Sequence, residues 1–355
     1  MHTTGAHDRC AQKGEMVRVS ILVLSAAIAV AGLQAKWAWT PVQTSVTARL
    51  RGISAVNARV VWASGSGGTI LRSADGGTSW QSMTVPGAEK LDFRDVDAVD
   101  ATTAYALSIG PGEQSRIYKT TDAGATWREQ FVNRDPKAFF DAMAFWDARR
   151  GIAVSDSVDG QFVVLKTEDG GASWNRLPAS VFPPALENEG FFAASGTNVA
   201  VLPPNHVWIG TGAANQSRVL RSSDSGKSWA LATTPLASGP SSGIFSIAFA
   251  DARNGLVVGG DYKVEAGASD NAARTTDGGA TWTPVTGLSG FRSAVAYLST
   301  ELVIAVGPSG SDVSTDRGAT WTRIDGPGFH TIAAPRRLAM AFAAGERGAI
   351  GLMLR

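Results

Sequence analysis

Thiols are nearly absent from this chain. Cys10 is the only cysteine among 355 residues, which excludes an intrachain disulfide and a thiolate metal site. Histidine is scarce as well: His2 and His7 lie near the start, and His206 and His330 stand far apart. No metal is therefore expected, and no other cofactor, since the chain has no phosphate loop, dinucleotide fingerprint or nucleophile elbow. The glycines from Ser64 to Gly68 are followed by no helix, so they supply loop freedom only. Charge is sparse, at 18% of residues, and nearly balanced, at +1 overall. That balance argues against non-specific nucleic-acid binding.

Long apolar runs are also missing, with one exception. Arg18 precedes VSILVLSAAIAVAGL and then Gln34-Ala35, which places a small residue where a signal peptidase cuts. The run is short for a membrane span, so residues 1–35 are expected to be an export signal, with Met16 as the start and cleavage after Ala35. Cys10 leaves with that segment. So do Arg9, Lys13, Arg18, Asp8 and Glu15, which takes 32 basic and 31 acidic side chains to 29 of each. The expected mature protein is periplasmic or extracellular, has no stable membrane span, and gains its stability from packing.

What the chain has in abundance is glycine, 40 residues, and tryptophan, 11 residues, and both recur in one pattern. The string SADGGTSW (73–80) returns as TTDAGATW (120–127), TEDGGASW (167–174), SSDSGKSW (222–229), TTDGGATW (275–282) and STDRGATW (314–321). These boxes carry Asp75, Asp122, Asp169, Asp224, Asp277 and Asp316, and end on Trp80, Trp127, Trp174, Trp229, Trp282 and Trp321. The aspartates are 47, 47, 55, 53 and 39 residues apart, a period that fits a four-stranded propeller blade. Between boxes come short apolar strands such as SIAFADA (246–252) and LVVGG (256–260), split by turns such as Arg253-Asn254-Gly255. The fold class read from this is all-β.

The blade count comes from the two ends. Residues 329–354 supply three strands of a seventh unit and then stop. Trp39-Thr40-Pro41-Val42 reads like the strand that opens with Trp282-Thr283-Pro284-Val285, so it is expected to be the missing fourth strand. Such a strand would close residues 36–355 into a seven-bladed ring and leave no open edge. The box itself reads as structural: a tight turn with glycine at positive φ, an Asp accepting backbone N–H groups, and a Trp packing on a sheet.

These boxes are similar to the Asp-box, or bacterial neuraminidase repeat. Their arrangement in a secreted seven-bladed chain looks most like the photosystem II stability/assembly factor family, over residues 37–354. That resemblance implies a non-catalytic propeller that binds a protein partner as an assembly scaffold. Sialidases and other Asp-box glycoside hydrolases share the repeat. The early Arg-Ile-Pro motif of sialidases is absent here, the nearest string being Arg116-Ile117-Tyr118.

A propeller presents its ligands on the face opposite the boxes. Aligning inner-strand starts gives Leu50-Arg51, Phe93-Arg94, Phe139-Phe140, Ile244-Phe245, Phe291-Arg292 and Phe329-His330. Arg51, Arg94, Arg292 and His330 are thus expected to form a basic ring at the channel mouth, with Arg116, Arg218 and Arg347 extending it. Such a ring suits a protein or peptide partner with an acidic tail, because guanidinium forks pair with carboxylates. Glycan is the alternative ligand. For a hydrolase the candidates are Tyr262 and Glu265, in the long loop 259–272, with Asp156 and Asp159 in SDSVDG (155–160). The segment SVFPPALENEGFFAASG (180–196) is expected to be a lip over the channel or a partner contact, with Phe191 and Phe192 exposed.

Overall fold

The computed structural model describes residues 37–42, 44–335 and 338–354, so the expected export signal and Cys10 lie outside the described residues. Seven four-stranded antiparallel sheets follow one another along the chain. In blade 1 the strands are Leu50–Ala55, Val61–Gly65, Thr69–Ser73 and Gln81–Met83, running from the axis outward. The inner strands of successive blades touch in order. That of blade 7, Thr331–Ala333, returns to that of blade 1, so the ring is closed. Second strands such as Val61–Gly65, Val303–Gly307 and Met340–Ala344 are buried at every residue, because a neighbouring blade covers each face. This is why they read as unbroken apolar runs rather than as alternation.

Closure is made as the sequence implies. Thr40–Val42 pairs with Ile350–Leu354, putting Thr40 opposite Leu352 and Val42 opposite Ile350, and completes the sheet of Thr331–Ala333 and Met340–Ala344. Trp39 anchors the strand. Its ring lies edge-on to Phe329, with centroids 5.1 Å apart, and its indole Nε1 donates to Ser311 Oγ at 3.0 Å. Pro41 sits on the outermost strand, where a missing N–H costs no ladder bond.

The core is divided among the blade interfaces. Seven apolar clusters each join residues of two adjacent blades. One combines Trp62 and Met83 of blade 1 with Phe93, Tyr118 and Trp127 of blade 2. An eighth, smaller cluster of Ala194, Phe245 and Phe291, with Phe192 against it, is separate from these seven.

Each box folds on itself. In blade 2, Asp122 Oδ1 accepts from Thr120 Oγ1 and from the Thr126 N–H, both at 2.8 Å, and Oδ2 accepts from Thr126 Oγ1 at 2.6 Å. Thr120 Oγ1 also accepts the Gly124 N–H at 3.0 Å. Gly124 has φ 92°, which favours glycine, and a Cβ there would lie 2.8 Å from Met83 Sδ and push that side chain aside. These bonds hold the carboxyls of Asp75, Asp122 and Asp169 down to about 2. The hydroxyl before each tryptophan (Ser79, Thr126, Ser173, Ser228, Thr281 and Thr320) donates to the box carboxylate in all six copies. That residue is as constant as the aspartate, and the sequence reading passed over it.

Candidate functional site

The functional face is shaped by bulges at the starts of the inner strands. Ladder register slips between Leu50 and Gly52, Phe93 and Asp95, Phe140 and Ala142, and Ile244 and Ser246. The residue skipped in each case is Arg51, Arg94, Asp141 or Phe245, and each lines one pocket of about 730 Å³ at the channel mouth. A bulge re-aims its extra side chain. Here it turns the residue toward the pore while its predecessor stays in the core: Leu50, Phe93, Phe140 and Ile244 are all at most 2% exposed. Ser293 and His330 bring blades 6 and 7 to the same pocket.

Two of the aligned strand-start positions therefore shift by one residue. In blade 3 the pore residue is Asp141, not Phe140. In blade 6 the Arg292 N–H bonds to Gly259 O, as the Leu50 N–H bonds to Gly345 O, so Arg292 occupies the inward-packing position. Its side chain is fully buried. The guanidinium pairs with Asp312, also fully buried, through Nε at 2.7 Å and Nη2 at 2.6 Å, and reaches Phe291 O and Ser309 Oγ. Arg292 is a structural ion pair and not part of the ring. Arg218 is held by buried Glu189, and Arg116 by Glu129 at 2.9 Å; neither lines the pocket. Arg347 borders a separate small cavity beside the closing strand.

Arg49, which the sequence reading missed, takes up the vacated role. It lines the pocket with Arg51 and Arg94 and bonds Glu346 at 2.7 Å. His330 is not basic. Burial, with Arg51 beside it, lowers its pKa to about 4, against the pull of Glu346 at 2.8 Å, so the ring is neutral at pH 7. Arg51 is itself pushed down to about 10, first by burial and then by Arg94 and Arg49.

The expected lip is a plug. Phe191 is 4% exposed, Phe192 half-buried, and residues 193–196 are buried inside the ring. Spokes from several blades hold it. Arg94 Nη1 donates to Ala193 O at 2.9 Å, Arg51 Nη1 to Ala194 O at 3.2 Å, and Thr331 Oγ1 to Ser195 O at 3.1 Å. Ser195 Oγ in turn donates to Ser293 O at 2.8 Å. Ala193 and Ala194 line the mouth pocket, whereas Ser195 to Thr197 line a second cavity of about 700 Å³ toward the box face. The channel is thus divided into two chambers.

The wall opposite the arginines is aromatic. Phe192 stacks on Phe245 with centroids 4.0 Å apart, and Phe291 meets Phe245 edge-on at 4.7 Å. Of the four hydrolase candidates, Tyr262, Glu265 and Asp156 line the pocket. Asp159 does not: it is exposed and paired with Lys137 at 2.9 Å. Burial raises the Asp156 carboxyl to about 6, while the Phe191 N–H bonded to Oδ1 at 2.8 Å opposes the shift. Asp141 is 1% exposed and driven well above the usual carboxylate range, by burial first and by Asp156 second; its Oδ2 makes no hydrogen bond. Among the described residues no cluster of His, Cys, Asp and Glu has the make-up of a metal site. No helix among them is long and apolar enough to cross a membrane.

The molecule is a seven-bladed β-propeller with a stoppered channel and a mouth pocket that is arginine-rich on one side and aromatic on the other. No protein-family model matches the chain, and no curated protein matches its sequence. Solved structures do. YCF48 bound to D1 peptide superposes with a TM-score of 0.66 at 16% identity, covering 89% of this chain and 97% of that one. YCF48 from Cyanidioschyzon merolae gives 0.64 at 18% identity, covering 89% and 99%. The GH74 xyloglucanase of Xanthomonas campestris gives 0.57 at 16% identity, covering 89% of this chain and 53% of its own. The likeness in each case is one of fold.

Proposed function

We propose that this chain is an exported, non-catalytic propeller that captures a protein or peptide segment in the mouth pocket, as a scaffold in assembly. The observation that carries the proposal is the crowding of three guanidiniums. Arg49, Arg51 and Arg94 share one concave pocket, and their mutual repulsion contributes to the lowered pKa of Arg51. An acidic stretch of the partner would relieve that repulsion and add charge-assisted hydrogen bonds, each worth about 1.5–3 kcal/mol. A solved propeller of the same fold holds a peptide, which supports a peptide-sized occupant here.

The test is titration of synthetic acidic peptides against the purified protein and against Arg49→Glu and Arg51→Gln. Arg49 is exposed, so its reversal leaves the fold intact. Affinity should fall at least about tenfold in each variant and weaken with salt. Equal affinity in all three proteins would remove the pocket from the proposal. Export is tested by sequencing the N-terminus of the protein recovered outside the cytoplasm, which should begin just after Ala35.

A second reading rests on Asp156. A carboxyl raised to about 6 in the same pocket as Glu265 has the make-up of a glycosidase acid and its partner. Turnover of fluorogenic glycosides that disappears in Asp156→Asn would establish it in place of the binding role.

A further inference from the structure

The aromatic cluster at the mouth is separate from the main cores between the blades, although its Phe245 and Phe291 meet between blades 5 and 6. It stands apart from the seven interface clusters, and it sits across the ring from Arg51 and Arg94, on blades 5 and 6 rather than 1 and 2. Phe245 takes the bulge position that elsewhere holds a charged residue. Phe192 is seated against it by bare backbone. A Cβ on Gly212 would fall 2.5 Å from the Phe192 ring, and one on Gly243 would fall 2.9 Å from it. Tyr262 leans edge-on over both rings, at 6.1 Å from Phe245 and 6.4 Å from Phe192, yet remains 45% exposed. Val264, two residues on, is 55% exposed, so two of the four large exposed apolar side chains among the described residues stand in this loop. Exposed apolar side chains gathered at the rim of a pocket mark a contact surface.

The opposite rim supplies charge and the floor is closed. Arg49, Arg51 and Arg94 share the pocket with Glu265, Glu346 and Asp156, the last with its carboxyl raised to about 6, while burial favours the proton-bearing form of Asp141. Because the plug blocks the channel, an occupant cannot thread through. It must place its recognised groups side by side within the mouth.

Resting on the peptide-capture reading above, we infer that the pocket selects a bipartite peptide motif: an acidic residue for Arg49, Arg51 and Arg94, and a nearby aromatic or large aliphatic residue for the Phe192, Phe245, Phe291 and Tyr262 wall. Neither half suffices. The apolar half sets which acidic segments bind, because surface arginines alone discriminate poorly among carboxylates in water.

The experiment uses fluorescein-labelled peptide pools with an acidic residue only, a Phe or Trp only, or both at spacings of one to four residues. Neutral and acidic oligosaccharides are run alongside. The bipartite pools should bind about tenfold or more tighter than either single pool, the effect expected of burying one large apolar side chain. Tyr262→Ser, an exposed position, should lower affinity for the bipartite pools severalfold while leaving acidic-only binding unchanged. Arg49→Glu should weaken both. Acidic-only pools binding as tightly as bipartite ones would overturn the motif and leave peptide capture standing, as would a Tyr262→Ser protein with undiminished preference. Apolar-only pools matching the bipartite ones would overturn it as well. Binding of no pool, or of oligosaccharides alone, would overturn the motif and the peptide-capture reading together.

Discussion

Trp39 is where the ring is latched, and its removal can be worked through in numbers. The residue is 7% exposed, so nearly all of its ring is inside. Truncating a buried tryptophan to alanine costs about 3–5 kcal/mol through lost burial and residual cavity. Unfolding entropy near 2.1 cal/mol/K per residue, over roughly 320 residues, gives about 0.7 kcal/mol/K, so Trp39→Ala should lower Tm by about 4–8 °C. The hydrogen bond can be separated from the packing. Ser311→Ala leaves the indole N–H buried without its acceptor, at a cost of about 1–3 kcal/mol, or about 2–4 °C. Trp39→Phe should behave similarly. The double variant Trp39→Phe/Ser311→Ala, which removes both partners, should be less destabilised than the two single effects combined. Calorimetry at fixed pH reads all four, and light scattering should show Trp39→Ala aggregating earlier as the sheet edge of Ile350–Leu354 is bared. A drop under about 2 °C for Trp39→Ala, or strict additivity in the double variant, would refute the latch.

Four further expectations follow from the same geometry. Asp122→Ala should destabilise the protein at pH 7, and the difference from wild type should shrink in urea titrations as pH falls from about 4 through about 2, because a carboxyl held at about 2 when folded stabilises fully above its unfolded value of 3.8 and loses that contribution as pH falls through its folded value. Asp156 has the opposite sign. Its folded pKa of about 6 lies above the unfolded value, so its ionisation opposes folding, and wild-type Tm should rise as pH falls from 7 toward 5 by an amount that Asp156→Asn abolishes. Arg292→Ala should cost about 3–5 kcal/mol by stranding Asp312, whereas Arg292→Met/Asp312→Leu should be near neutral in chemical denaturation. Arg94→Lys keeps the charge and loses the fork, so acidic peptides should bind about tenfold more weakly to it in the same fluorescence titration; undiminished affinity would show that a point charge suffices.

How much of this was legible depends on the distance over which each feature is encoded. The boxes were legible because every bond of Thr120, Asp122, Gly124 and Thr126 closes within a few residues, so the pattern carries the whole structure. Closure was legible because Trp39 to Val42 repeats the strand form seen after Trp282, although its partner lies more than 300 residues away. The pore residues were harder. Phe93-Arg94 and Phe291-Arg292 are the same dipeptide, yet Arg94 faces the pore and Arg292 the interior. A strand alternates its faces every residue, so one residue of slip exchanges them, and nothing in the dipeptide fixes the bulge. The signal that could have told them apart was Asp312, the one charged residue in the short, small-residue strand Gly310–Ser314, waiting for a buried cation.

The plug was the least legible element, and it changes what the pocket arginines are for. Their bonds to Ala193 O and Ala194 O span 99 and 143 residues, so only the assembled ring creates them. Each bond uses one of the five N–H groups of a guanidinium, and Arg94 commits a second to Asp92 at 2.9 Å. The remaining donors belong to a fork whose plane the plug has already fixed. Arginine can therefore serve as spoke and as ligand contact at once, with little further ordering to lose when an acidic group arrives. A lysine in the same place could touch both with its three donors, but its rotatable ammonium has no planar fork, so holding the plug would not orient it for the partner.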